Sequence, residues 1–217
     1  HKRGIKIFNF PNLNSTAVAE LAFGLIISLY RHIVNANNEL KKNLWNKQKF
    51  YGYELKNKVL GLVGLGNIGR EIAKLAKGFS MDLLANVKNK KKKRPKNIKI
   101  VSLKHLFQNS DIIVLCLPLV KQTKNLVDLK MLKLIKKSGI LINLSRGGII
   151  NENHLYKILK KQKIFGAATD VLSNEGEKNR LFNLKNIIVT PHIGAMTNDA
   201  QINIGVKVHK LVRKLLK

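Results

Sequence analysis

Three side chains in the second half of this chain have the makings of an acid–base site. Arg146 stands in Asn143-Leu144-Ser145-Arg146-Gly147-Gly148, Glu175 in Asp170-Val171-Leu172-Ser173-Asn174-Glu175, and His192 in Thr190-Pro191-His192-Ile193-Gly194. A guanidinium in a glycine-flanked loop can offer two N–H groups to a carboxylate. An imidazole exchanges a proton near neutral pH, and a carboxylate beside it orients the ring and favours its charged form. Singly, each has a plainer reading: a surface ion pair, a solvated loop acid, a structural histidine after a proline. Their joint occurrence gains weight from what lies upstream.

Upstream is Lys58 to Arg70, K-V-L-G-L-V-G-L-G-N-I-G-R. A short apolar run ends in Gly64-Leu65-Gly66-Asn67-Ile68-Gly69, and a helical pattern follows: strand, tight turn, helix, with glycines spaced G-x-G-x-x-G. In such a turn Gly64 permits the sharp bend, Gly66 lets the backbone approach a pyrophosphate, and Gly69 lets the helix sit close on the strand. The free N–H groups and positive dipole end of the helix attract phosphate. The spacing alone is weak, but here the flanking strand and helix are both legible, which points to a dinucleotide site.

The elements that must position these groups alternate in type. Residues 4–10 alternate as a short strand before Pro11, and an unusually apolar helix starts near Thr16, capped by Asn14 or Ser15. A helix apolar on nearly every side must be buried on nearly every side, against a partner subunit or within its own chain. Residues 35–57 read as polar and irregular, and 88–96 as an exposed lysine-rich loop. Strands are expected at 82–86, 98–101, 111–117, 140–144, 165–171 and 187–189, and helices at 70–78, 102–107, 128–136 and 152–160. The run I-I-V-L-C-L at 112–117 suits a parallel strand buried on both faces. The alternation predicts an α/β fold with a Rossmann-type doubly wound parallel sheet, whose ligands bind beside the strand carboxyl ends.

Composition sets bounds. The 217 residues are 45% apolar, enough for a real core. The single cysteine, Cys116, excludes a disulfide framework and reads as a buried thiol in a reducing compartment, the cytoplasm. The first residue is His1 instead of Met, so the sequence reads as a fragment or trimmed chain. Net charge is +29, from 41 Lys and Arg against 12 Asp and Glu. A polyanion partner is one reading. Compositional drift in an AT-rich genome is the favoured one, because the lysines are scattered instead of forming a stripe. No specific nucleic acid, membrane or metal is expected as a partner.

Taken together, the motifs resemble the D-isomer-specific 2-hydroxyacid dehydrogenases, most closely their phosphoglycerate branch. The resemblance runs through N-S-T-A-V-A-E-L at 14–21, G-L-V-G-L-G-N-I-G at 61–69 and L-P-L-V-K-Q-T-K-N-L at 117–126. It continues through L-I-N-L-S-R-G-G at 141–148, G-A-A-T-D-V at 166–171 and V-T-P-H-I-G-A-M-T at 189–197. It implies hydride transfer between a nicotinamide cofactor and a D-2-hydroxy acid, with 3-phosphoglycerate the expected substrate. A glyoxylate or hydroxypyruvate reductase, and a non-catalytic corepressor-like NAD-binding protein on the same fold, are the alternatives.

By the same resemblance Arg146 binds the substrate carboxylate and carbonyl, His192 is the acid/base, and Glu175 supports it. Asp170 holds the nicotinamide carboxamide. Gly64, Gly66, Asn67, Ile68 and Gly69 line the pyrophosphate turn, and Leu117, Pro118, Thr123, Leu144, Ser145 and Gly194 lie along the cofactor. Residues 1–12 end a substrate domain that is mostly absent, 13–190 form the dinucleotide-binding domain, and 191–217 return towards the substrate domain. The 15–31 helix contributes to a homodimer interface. One departure concerns the cofactor: where an acid usually grips the adenosine ribose, this chain has Val87 and Lys88. NAD is expected, with NADP left open by that substitution.

Overall fold

The computed structural model describes residues 5–10, 12–88, 95 and 97–216. Its frame is one sheet of seven parallel strands: β1 (Val59–Val63), β2 (Asp82–Asn86), β3 (Lys99–Ile100), β4 (Ile112–Leu115), β5 (Ile140–Asn143), β6 (Gly166–Thr169) and β7 (Ile187–Val189). Their spatial order is β3-β2-β1-β4-β5-β6-β7. The order reverses between β1 and β4, paired in register Leu60 with Ile112 and Val63 with Leu115. That crevice at the carboxyl ends is where ligands of open α/β sheets bind.

The helices are α1 (Ser15–Tyr30), α2 (Ile33–Leu40), α3 (Asn67–Gly78), α4 (Leu103–Asn109), α5 (Leu129–Leu132), α6 (Glu152–Lys160) and α7 (Asn198–Leu215). Strand side chains alternate between two cores. Leu60, Leu62, Ile112, Val114, Ile140 and Ile142 join α1 and α3 on one face. Val63, Ile113, Leu115 and Leu141 join α4, α5 and α6 on the other. Strands that must satisfy both faces have little room for polar residues, which is why β4 and β5 read as unbroken apolar runs.

Helix α1 answers the question its composition raised. Ten of its residues, among them Ala19, Ala22, Ile26 and Tyr30, are buried by the chain itself. The Tyr30 hydroxyl donates to the Asp111 carbonyl at 3.0 Å, pinning the helix to the start of β4. Among the described residues no single helix is long and apolar enough to cross a membrane.

Several elements depart from expectation. Residues 5–10 form no strand: Ile5 and Ile7 are 62% and 76% exposed, and no other strand pairs with them. An alternating pattern makes a strand only where a neighbour takes up its backbone hydrogen bonds. Residues 33–40, expected to be irregular, form α2, while α5 shrinks to one turn capped by Asp128. Helix α7 was not anticipated. Thr197 caps it through its hydroxyl at 3.2 Å from the Ala200 N–H, and only Ala200 on it is buried. The lysine-rich loop lies outside the described residues except for Lys88 and Pro95.

Candidate active site

The glycine turn is built as close packing requires. Gly64 has φ +100°, and a Cβ there would sit 2.4 Å from the Cys116 carbonyl oxygen. A Cβ on Gly69 would sit 2.6 Å from the Gly64 carbonyl oxygen. Both positions therefore exclude side chains. Gly66 differs: a Cβ there meets nothing within 4 Å. It is also the N-cap of α3, so no side chain of its own reaches the first-turn N–H groups. Open space above uncapped N–H groups suits a pyrophosphate. The adjoining cleft, about 530 Å³, is lined by Ile68, Cys116, Leu117, Pro118, Ser145 and Arg146 among others.

Around that cleft, short polar contacts fix the loops. The Ser145 hydroxyl donates to the Leu115 carbonyl at 2.6 Å and accepts from the Leu117 N–H at 3.2 Å, tying the ends of β4 and β5. The Thr123 hydroxyl donates to the Pro118 carbonyl at 2.7 Å, closing the 118–123 turn. Past β2, Val87 is half-buried and Lys88 exposed, next to the glycine turn through the Gly64 N–H bond to the Asn86 carbonyl at 2.9 Å.

The other half of the site follows β6 and β7. His192 Nδ1 lies 3.0 Å from Glu175 Oε1 and 3.1 Å from Oε2. Against a carboxylate acceptor, a neutral ring would place its hydrogen on Nδ1 and its lone pair on Nε2. His192 sits at φ +56° in the turn after Pro191, and its N–H donates to the Thr190 carbonyl at 3.0 Å. Asp170 holds that turn from below. Its carboxylate, 3% exposed as a residue, accepts from the Thr190 hydroxyl at 2.6 Å, the Ile193 N–H at 2.9 Å and the Gly194 N–H at 2.8 Å. These use three of about four acceptor positions, leaving one on Oδ2. Asp170 thus acts visibly as a brace for the histidine turn.

The three acid–base candidates are not arranged around one cavity. His192 and Glu175 line a cleft of about 540 Å³ with Leu172, Phe182 and Val189. Arg146 borders the neighbouring cofactor-side cleft, its guanidinium folded back to donate to the Ser145 carbonyl at 2.7 Å. The loops themselves touch. A Cβ on Gly147 would fall 2.0 Å from the Leu172 carbonyl oxygen, so the arginine loop presses directly on the start of the Glu175 loop. All three groups follow consecutive strands, β5, β6 and β7, at one end of the sheet.

Sequence reading passed over two members. Thr190 lay inside a recognised motif, yet its bond to Asp170 depends on contacts between two strands. Glu152 entered the sequence reading only as the first residue of the helix expected at 152–160; in the structure it is an acid in the first turn of α6. It also receives three hydrogen bonds from the loop that carries Glu175.

Comparisons with known proteins identify the family and the fold. A family model described as D-isomer specific 2-hydroxyacid dehydrogenase, NAD binding domain, matches residues 23–194. The chain is 38% identical to a hydroxypyruvate reductase of Thermotoga maritima, matching all of this chain and 71% of that protein. It is 38% identical to a glyoxylate reductase of Pyrococcus horikoshii, over 96% of this chain and 66% of the relative. To a D-3-phosphoglycerate dehydrogenase of Synechocystis it is 40% identical, over 99% and 39%. The chain thus spans from about two fifths to seven tenths of the length of these relatives. Among solved structures, D-lactate dehydrogenase from Aquifex aeolicus complexed with NAD and lactic acid superposes with a TM-score of 0.88 at 27% identity, covering 99% of this chain and 70% of that one. An acyclic imino acid reductase in complex with NADPH and D-Arg gives 0.87 at 32%, covering 95% and 66%.

Proposed function

Since this chain belongs to the D-isomer specific 2-hydroxyacid dehydrogenase family, we propose that it carries the cofactor site and acid–base pair of an enzyme interconverting a D-2-hydroxy acid and its 2-oxo acid. The observation that carries this reading is the His192–Glu175 contact at 3.0 Å, at the same sheet end as the glycine turn. When bound, a nicotinamide dinucleotide supplies the hydride acceptor or donor. Gly64, Gly66, Asn67, Ile68 and Gly69 would receive its pyrophosphate, and Val87 and Lys88 would border the adenosine ribose. Leu117, Pro118, Thr123, Leu144 and Ser145 would run beside it, with Gly194 and the remaining acceptor position of Asp170 towards the nicotinamide.

The chain's own groups then do the following. Arg146 swings from the Ser145 carbonyl to the substrate carboxylate, which binds a guanidinium better than a neutral oxygen does. His192 takes the hydroxyl proton on Nε2 as C2 loses its hydride, and the C–O single bond becomes a carbonyl. Glu175 steadies the resulting imidazolium through Nδ1–H, and in the reverse direction the imidazolium returns the proton.

As substrate we propose 3-phosphoglycerate first. Glyoxylate or hydroxypyruvate is the second reading, supported by relatives of those names at 38–40% identity, level with the 37–40% of the phosphoglycerate enzymes. The test is a panel of three 2-oxo acids, 3-phosphohydroxypyruvate, glyoxylate and hydroxypyruvate, with the full-length protein and either NADH or NADPH as hydride donor. We expect the highest kcat/KM for the phosphoglycerate pair; preference for glyoxylate would select the second reading. Tight dinucleotide binding with no turnover of any of them would replace both with a binding role.

We infer a homodimer as well. Its support is the apolar surface after α1, where Trp45 is 84% exposed and Ile33, Leu44 and Tyr51 are also exposed. Because α1 is covered mainly by its own chain, this following segment and the outward stripe Thr16, Glu20 and Gly24 would meet the partner.

A further inference from the structure

One carboxylate outside the acid–base pair is bonded as though its task were to hold that pair in place. Glu152, half-buried in the first turn of α6, accepts through Oε1 from the Ser173 N–H at 2.7 Å and the Ser173 hydroxyl at 2.8 Å. Its Oε2 accepts from the Asn179 side-chain amide at 2.8 Å. Ser173 lies two residues before Glu175, and Asn179 four after it. A single side chain therefore fastens both ends of the loop whose exposed tip faces the imidazole.

The same helix secures the far end again. The Arg180 guanidinium bonds the Asn153 side-chain oxygen and lies 4.6 Å over the Tyr156 ring. Between the anchors Gly176 turns the chain at φ +87°, and among the described residues the Asn174 side chain bonds within the loop, to Glu177 at 2.9 Å. Glu175 and His192 are each about half exposed, with side-chain exposures of 50% and 47%, so packing alone does not fix their distance. Charge-assisted bonds to Glu152 supply what packing does not.

We propose that Glu152 is a positioning residue for the reaction: it holds the 173–179 loop so that Glu175 faces His192 Nδ1 and leaves Nε2 free to take a proton. This rests on the reading of His192 as the acid/base. The consequence is a tautomer preference. An imidazole free in water favours Nε2–H, so an Nδ1–H ring at His192 requires a partner held opposite it.

The test uses full-length protein labelled with 15N-histidine, with the His192 resonances assigned by their loss in His192→Ala, at a pH where the ring is neutral. Wild type is expected to show Nδ1–H, and Glu152→Ala to lose that signal in favour of Nε2–H. Glu152→Gln keeps an oxygen for Ser173 and is expected to retain most of it. In turnover assays we expect Glu152→Ala to lower kcat roughly tenfold with little change in KM, a loss of orientation and not of binding. Merely removing a helix-start charge would lower Tm alike in both variants and leave the tautomer alone. A folded Glu152→Ala protein that keeps Nδ1–H therefore overturns the clamp and leaves the histidine assignment standing. Wild type showing Nε2–H overturns the pair, and the clamp with it. Should Glu152→Ala not fold, Glu152→Met, of similar size and without a carboxylate acceptor, decides on the same signal.

Discussion

The two halves of the carboxyl-end crevice are made by different means. On the β1–β4 side the site is backbone: Gly64 and Gly69 approach neighbouring carbonyls so closely that any Cβ would fall within 2.4 to 2.6 Å. On the β6–β7 side it is side chain: His192 and Glu175 meet at 3.0 Å on loops about half open to solvent. A backbone site is finished when the fold is finished, because no rotamer remains to be chosen. A side-chain site in contact with water needs braces, here Asp170 beneath the histidine turn and Glu152 beneath the glutamate loop. The first half should therefore govern cofactor affinity, and the second turnover.

The most direct way to break that division is His192→Ala in full-length protein. We expect kcat to fall about a hundred- to ten-thousandfold, the range of a general acid–base group, while NADH affinity by fluorescence titration barely moves. A matching loss of affinity would mean the halves are not separable.

Thiol ionisation sharpens the contrast next. Cys116 lies against the glycine turn, half-buried in the wall of the cofactor-side cleft, and desolvation pushes its thiol up to about 12. Only the thiolate is nucleophilic, so near pH 8 we expect iodoacetamide to label it about a hundredfold or more slowly than in the urea-unfolded chain. His192, on the open side, is expected to react readily with diethyl pyrocarbonate. Equal protection of both groups, read by mass spectrometry, would erase the difference between the halves.

Gly64→Ala attacks the backbone half. Its positive φ and the carbonyl at 2.4 Å leave a methyl group no place, and we expect a stability loss of about 1–3 kcal/mol. Dinucleotide Kd is expected to weaken roughly tenfold, the equivalent of about 1.4 kcal/mol. Unchanged Kd with lowered Tm would show that the turn serves packing alone.

The smallest effect concerns cofactor choice. With Val87 and Lys88 past β2 and no acid there, we expect NADH and NADPH to differ in Kd by less than about tenfold. Val87→Asp is expected to shift the ratio several-fold towards NADH. A strong native preference for NADPH would displace NAD as the working cofactor.

How far the sequence carried depends on what kind of contact defined each feature. The strands at 82–86 and 187–189 and the helix at 152–160 matched the structure to the residue, because apolar runs and an Asn151 cap are local signals. Residues 5–10 misled because alternation says nothing about whether a neighbouring strand exists. The 33–40 helix was hidden by its three asparagines, which are weak helix formers. In α7, Ile202, Val206 and Val212 mark an apolar set too sparse to stand out among the lysines.

Within the candidate site, the glycine turn and the Glu175–His192 approach were legible as motifs. The inward fold of Arg146 and the three bonds to Glu152 were not. They depend on rotamers, and on residues 21 and 27 positions apart meeting in space.

The account stands most directly on a crystal structure of the full-length protein with NAD and oxalate, a planar mimic of a 2-oxo acid carboxylate. It predicts the pyrophosphate on the N–H groups of Gly66 to Gly69, and oxalate held by the Arg146 guanidinium within hydrogen-bond reach of His192 Nε2. A dinucleotide bound away from that turn, or oxalate held without either side chain, would contradict it.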